Sequence, residues 1–215
     1  MSLVIQEPES RFSFFDLIFS GGWANVLIIV VLFGLLIYAL YITIERFLIY
    51  RAVLKQEDIF VKEIRRKLTE PKEAIAICDQ SDHLLASVFK AGLARLEQRK
   101  NKEQITLTIE SRTAYVVAQL ERHLNTLATI SGAAPMLGFL GTVIGMVLAF
   151  KEMAMSAGQA DISQLAGGIY TALTTTVAGL VVGIISYIAY NQLVNLLQRI
   201  TQRFESLINT VLEEL

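Results

Sequence analysis

Charge is absent from three long stretches of this chain. No Asp, Glu, Lys or Arg falls within residues 17–44, 123–150 or 162–198, runs of 28, 28 and 37 residues counted inclusively. Cysteine occurs once, at Cys78, so no internal disulfide can form, and the thiol is expected to be an inert residue of a helix. Histidine occurs twice, at His83 and His123, far apart in sequence. Solvated or capping roles suit these two better than ligation. No GxxxxGK[ST] phosphate loop and no Cys/His cluster with metal spacing is present. No cofactor, no nucleic-acid partner and no enzyme active site is therefore expected. The average charge, formally -1, says nothing about partners.

What is present is apolar. Hydrophobic residues make up 53% of the chain, and the mean hydropathy of +0.51 is too high for an ordinary soluble domain. A helix needs about 20 apolar residues to cross a bilayer core, so each uncharged run can span once. The third could span twice only if something turned it, and it holds no charged or Pro-rich turn. The expected fold is an all-α membrane protein with three transmembrane helices, the second and third extended into the cytoplasm. Residues 1–23 form an outer-face amphipathic segment, with the aromatic stretch 12–19 lying on the membrane and Trp23 at its boundary. The first span covers 24–44. It is too long for the apolar part of a leader peptide, and no basic segment precedes it. A cytoplasmic helical region covers 45–126, with a helix start at Pro71. The second span covers 127–150, a short outer loop 151–168, the third span 169–190, and a cytoplasmic C-terminal helix 191–215.

Ile105, Ile109, Val116, Leu120, Leu124 and Leu127 recur at helical spacing, and no Gly or Pro separates them from the second span. One unbroken helix over 103–150, about 72 Å long, is expected. Leu197, Ile200, Phe204, Leu207 and Val211 form a heptad-like stripe. It suits helix–helix contact outside the membrane or packing on a loop of the same chain. Of the 19 Lys and Arg, 15 lie between Arg46 and Arg122. The excess of positive charge on cytoplasmic loops places this region and the C-terminus inside and the N-terminus outside.

The spans differ in character. The first is rich in Val, Ile and Leu, a surface suited to lipid. The second holds Pro135, Gly138, Gly141 and Gly145, and the third holds Gly179 and Gly183. These small residues let helices approach closely and read as packing faces. Threonines cluster beside them: Thr142, then Thr171, Thr174, Thr175 and Thr176. Any one of these can bond back to its own helix, and small-residue packing accounts for part of the cluster. Counted from the outer ends of the two spans, Thr142 and Thr176 reach similar depth, about 10 to 12 Å. The span cores hold no carboxylate, lysine or histidine. A proton relay needs an ionisable group, so if this chain handles protons, a partner brings that group.

The run from Ala134, Pro135 and Met136 through Gly138, Gly141, Thr142 and Gly145 to Phe150 resembles the second-span signature of the MotA/TolQ/ExbB proton-channel family. Ala166, Gly167, Gly168 and Ile169, followed by Ala172, Thr176, Gly179, Tyr190 and Asn191, resemble its third-span signature. Three spans and a long cytoplasmic loop resemble ExbB and TolQ more than MotA, which has four. The resemblance implies a bacterial inner-membrane motor. Its ring-forming homo-oligomer, commonly a pentamer, surrounds the single spans of two ExbD- or TolR-type subunits. The partner's aspartate carries the proton, and energy passes to a TonB- or TolA-type transducer. By resemblance Thr142 and Thr176 match pore-lining threonines, and Thr171 and Thr175 join the candidate ion path. Two positions depart from the pattern: Thr171 stands where the family commonly has Glu, and Ile185-Ser186 where it has Ile-Pro. An ExbB-type role, a TolQ-type role in envelope maintenance or another specialised ion-driven machine, and a non-conducting membrane scaffold all remain open at this level.

Overall fold

A computed structural model describes residues 22–67, 70–81, 84–155 and 162–213. Six helices account for nearly all of these: α1 (Gly22–Arg66), α2 (Pro71–Gln80), α3 (Leu84–Glu97), α4 (Lys102–Glu121), α5 (Leu124–Met155) and α6 (Ile162–Glu213). No strand occurs among the described residues. The aromatic segment 12–19, His83 and the middle of the expected outer loop lie outside them. Three helical stretches, Trp23–Leu54, Lys102–Met155 and Leu165–Glu213, each contain an 18-residue segment apolar enough to cross a bilayer, with mean hydropathies of 2.8, 2.0 and 1.9 for those segments. The helices divide between two compact units. Of the described residues, the first holds those up to Ala39 and those within Thr129–Tyr187, the second those within Leu40–Ala128 and those from Ile188 on.

In the first unit the apolar surface faces outward. Leu27, Val30 and Phe33 on α1, Met136, Phe139 and Val147 on α5, and Val177, Val181 and Ile184 on α6 are all exposed. Water would not tolerate so continuous an apolar surface, whereas lipid or a neighbouring copy would. What is buried is small or in phase. On α1, Asn25, Ile28, Leu32 and Ala39 form a stripe at heptad-like spacing. The first span therefore packs along one face and exposes on the other the Val, Ile and Leu surface suited to lipid.

The second unit is held by conventional amphipathic faces. Ile105, Ile109, Val116 and Leu120 of α4 are buried, as are Leu193, Leu197, Ile200, Phe204, Ile208 and Val211 of α6. The C-terminal stripe is thus covered within its own chain, with Ile208 rather than Leu207 as its fourth member. Burying each such side chain contributes about 1.5–3 kcal/mol. The Lys67–Glu73 pair at 2.6 Å and the Lys90–Asp79 pair lie on the surface, where screening leaves such pairs little net effect.

Local signals explain most of the helix ends. Glu70 occupies the N-cap position of α2 without a side-chain cap bond, and Pro71 opens the helix, because its fixed φ suits a first turn and its missing N–H costs nothing there. At the start of α4 the Asn101 side chain accepts from Gln104 N at 3.0 Å, a standard cap. After α3, Arg99 adopts φ 53. Its N–H donates to the Leu96 carbonyl at 2.9 Å, and that of Lys100 to the Arg95 carbonyl at 3.2 Å. This is a Schellman closure made without glycine. Gly92 lets α3 and α4 meet: a Cβ there would lie 2.6 Å from Ile109 Cδ1.

One expectation fails. The helix over 103–150 is not continuous. It stops at Glu121 and resumes at Leu124, with His123 at φ 70 and Arg122 at φ -51, ψ 136.

Cys78 is buried in α2. Burial, and to a lesser degree the charge of Asp79, push its thiol up to about 11. Only the thiolate reacts. Alkylation of Cys78 by iodoacetamide at pH 8 should therefore run at least about a hundredfold slower than that of an exposed cysteine. Labelling at a comparable rate in the folded protein would contradict this burial.

Candidate functional site

The facing surfaces of α5 and α6 are built from the smallest side chains available. Ala134, Gly138, Gly141, Gly145 and Ala149 recur every three or four residues on α5, as do Gly168, Ala172, Thr175, Gly179 and Gly183 on α6. That spacing puts each set on one helix face. Pairs of positions define an antiparallel register. A Cβ on Gly138 would lie 2.7 Å from the Thr175 carbonyl oxygen and 3.1 Å from Gly179 Cα. One on Gly145 would lie 2.8 Å from Ala172 Cβ, and one on Gly168 2.7 Å from Ala149 Cβ. At the other end, a Cβ on Gly183 would meet Pro135 Cγ at 2.5 Å. The Pro135 ring, inside α5, thus rests where Gly183 offers no side chain. Gly141 sits directly against the Thr175 side chain. Gly138 and Gly179 face each other where the two backbones come closest.

The threonines separate into two kinds. Thr171 and Thr175 are buried. The Thr171 hydroxyl donates to the Gly167 carbonyl at 2.9 Å. Thr175 Oγ1 lies 2.7 Å from the Ala172 carbonyl and 3.2 Å from that of Gly138. It has one proton, and the shorter contact takes it. Thr142, Thr174 and Thr176 are half-buried, and the Thr174 hydroxyl donates to the Tyr170 carbonyl of its own helix at 3.0 Å. Thr142 donates to the Phe139 carbonyl at 2.6 Å, within its own helix. Thr176 donates across to the Gly138 carbonyl at 3.0 Å. Because Gly138 pairs with Thr176, and Gly145 with Ala172, Thr142 lies within about one turn of the level of Thr176.

All three half-exposed hydroxyls have their proton committed to a carbonyl, so each oxygen offers lone pairs outward. A hydroxyl in that state accepts a hydrogen bond and does not donate one. It can meet a protonated carboxyl as it stands. It must rotate away from its carbonyl before it can serve an ionised carboxylate.

Asn25 escaped the sequence reading, and Ser186 entered it only as a departure from the family pattern. Asn25 is 1% exposed and its Oδ1 has no hydrogen-bond partner. A Cβ on Gly145 would lie 3.4 Å from its Nδ2. Ser186 is fully buried with an unpartnered hydroxyl. A signal for Asn25 existed: it stands in heptad phase with Ile28, Leu32 and Ala39, so its position on the buried stripe could be read. Ser186 stands three residues after Gly183 and continues the small-residue face of α6, so its burial could be read in the same way. Among the described residues no group of His, Cys, Asp or Glu is placed to hold a metal ion.

The model of the MotA/TolQ/ExbB proton channel family matches residues 80–206, a segment that contains every contact of the α5–α6 face. A biopolymer transport protein ExbB-like 1 of Synechocystis is 33% identical over 173 residues, which is 78% of this chain and 68% of the relative. An ExbB-like 3 protein of the same organism is 30% identical over 171 residues, 78% of this chain and 80% of the relative. Biopolymer transport protein ExbB of Neisseria gonorrhoeae is 36% identical over 89 residues, 41% of this chain and 40% of the relative. With three apolar helices and a glycine-threonine helix pair inside the matched segment, the chain is a multi-pass membrane protein that belongs to the MotA/TolQ/ExbB proton channel family and is most like ExbB.

Proposed function

We propose that this chain is the ExbB-type subunit of a bacterial inner-membrane motor driven by the proton-motive force. It works with two ExbD-type single-span subunits and a TonB-type transducer to energise outer-membrane transport. In this reading the N-terminus is periplasmic, the C-terminus is cytoplasmic, and copies of the chain form a ring, commonly of five. The observation that carries the reading is the pair of half-exposed hydroxyls, Thr142 and Thr176, at one level of spans that contain no ionisable core residue. Such a pair can receive a carboxyl group but cannot carry a proton across by itself, so a partner's carboxyl is the moving group. Thr175 packs in the contact face against Gly141, and Thr171 is buried with its hydroxyl bonded within its own helix; both stand beside that level of the candidate path. The chain acts as a transport-channel subunit and has no catalytic role of its own.

The test is biochemical. Purified from its own membranes through an affinity tag, the chain should bring with it a one-span protein carrying an aspartate in its span. Asparagine in place of that aspartate should abolish whatever uptake a protonophore abolishes. Isolation of a stable assembly of this chain without such a protein rejects the reading.

A further inference from the structure

Residues 103–150 contain no Gly or Pro before Gly132, and their apolar spacing continues across Arg122 and His123. Local preference favours an unbroken helix there. The chain instead breaks, and it breaks at an L-residue in the left-handed region, His123 with φ 70, a conformation that disfavours any side chain with a Cβ. Something outside the segment must hold the break.

The backbone acceptors identify it. In an unbroken helix the carbonyls of Gln119 and Leu120 would accept from the N–H groups four residues on, those of His123 and Leu124. Here the Leu120 carbonyl accepts from Tyr50 Oη at 2.8 Å, and the Gln119 carbonyl from Arg46 Nη1 at 3.5 Å. Arg46 and Tyr50 stand one turn apart on α1, and both are buried, at 6% and 0% exposure. Two side chains thus take the place of two main-chain donors. Tyr50 is the firmer hold. Arg46 lies at the distance limit of a hydrogen bond, but its charge opposes the negative end of the α4 dipole. Its Nε has no partner, and its other ion-pair contact is Glu45 at 3.4 Å.

We propose that residues 119–124 form a two-state joint. In the form seen, Tyr50 and Arg46 latch the carbonyls of Leu120 and Gln119 and hold the break open. In the other form, the N–H groups of Leu124 and His123 recover those carbonyls and α4 joins α5 as one helix. The opposing preferences are of similar kind and size, one hydrogen bond for another, and the incompletely paired Arg46 lowers the cost of release. Any movement of α1 along the end of α4 then switches the joint and turns the start of α5 relative to α4. The joint does not depend on the ion-path reading, since its two forms differ in backbone pairing whether or not transport occurs.

The experiment is residue-resolved amide exchange on the full chain in lipid nanodiscs. Tyr50→Phe removes the stronger latch and should slow exchange at His123 and Leu124 by about threefold to tenfold. His123→Gly relieves the left-handed residue in the broken form and should speed exchange at the same amides by up to about tenfold. If Tyr50 were only a packing or capping residue, Tyr50→Phe would fray α4 and speed exchange. Faster or unchanged exchange in Tyr50→Phe overturns the proposal. Should Tyr50→Phe fail to fold, Arg122→Ala with His123→Ala tests it with the latch intact. Stronger helix formers at the joint should slow exchange at residues 123 and 124, and faster or unchanged exchange there overturns the proposal equally.

Discussion

Gly179→Ala should disrupt the membrane half of this protein, while Gly34→Ala should leave it as stable or more so. The same methyl group meets opposite surroundings. At Gly179 it would lie 2.5 Å from the Ala134 carbonyl oxygen, 2.9 Å from Gly138 Cα and 3.0 Å from Gly138 N. All three atoms are backbone, so no rotamer change can relieve the contact. The helices must separate, and with them go the short approach at Gly138 and the Thr176 bond across the pair. Overpacking of this kind costs about 1–3 kcal/mol or more, and loss of an interhelical hydrogen bond in a membrane adds about 0.6 kcal/mol. At Gly34 a Cβ has nothing within 4 Å, and Ala is the better helix former by about 1 kcal/mol. Thermal unfolding in detergent, followed by size exclusion, separates the two. A Gly179→Ala protein that melts and elutes like Gly34→Ala would show that the close α5–α6 approach is not what holds this half together. Gly132→Ala is a second control, because Gly132 also faces open space.

The contrast between these glycines also shows how far a sequence can be read. The three spans were legible because exclusion of charge over a bilayer's thickness leaves few alternatives. The α5–α6 face was legible because small residues at three- and four-residue spacing have little other use in an apolar helix. Which partner they meet was not: Gly141, Gly145, Gly179 and Gly183 pack within one chain here, whereas the pattern alone suits contacts between copies equally well. Gly34, Gly132 and Gly167 look the same in sequence and touch nothing. The break at Arg122–His123 was illegible for a different reason. Its determinants, Arg46 and Tyr50, sit 73 and 70 residues away from the carbonyls they cap, and the broken segment has no glycine to betray a positive φ. Arg99 hides the end of α3 in the same way. Pro71 and Asn101, by contrast, act on their own turn, and their helices begin where those residues place them.

Thr142→Val with Thr176→Val should lower gradient-driven transport by about tenfold or more while leaving a fully assembled complex. The separation of effects follows from the size of the bonds. The Thr142 hydroxyl bonds its own helix at Phe139, so valine there loses only an intrahelical contact that contributes little. The Thr176 hydroxyl reaches Gly138 on the other helix, yet a hydrogen bond between membrane helices contributes only about 0.6 kcal/mol on average. Valine keeps the branched shape at both positions. The packing of Gly138 against Gly179 is untouched, and assembly should survive. Transport is another matter, because in the proposed reading the two oxygens are half-exposed polar atoms that a carboxyl on a partner span would meet at that level. Without them a protonated carboxyl loses its acceptors, and an ionised one loses donors that rotation of the hydroxyls would supply; burying either unpaired group is costly. Thr176→Ser restores the oxygen with less bulk and should recover much of the activity. Thr175→Val is the internal control: its hydroxyl is buried and committed to Ala172, so it should affect stability modestly and transport less than the double variant does. Should the double variant transport at the wild-type rate in a complex shown to be intact, the hydroxyl pair is only a helix-packing feature, and the path of the partner's carboxyl lies elsewhere.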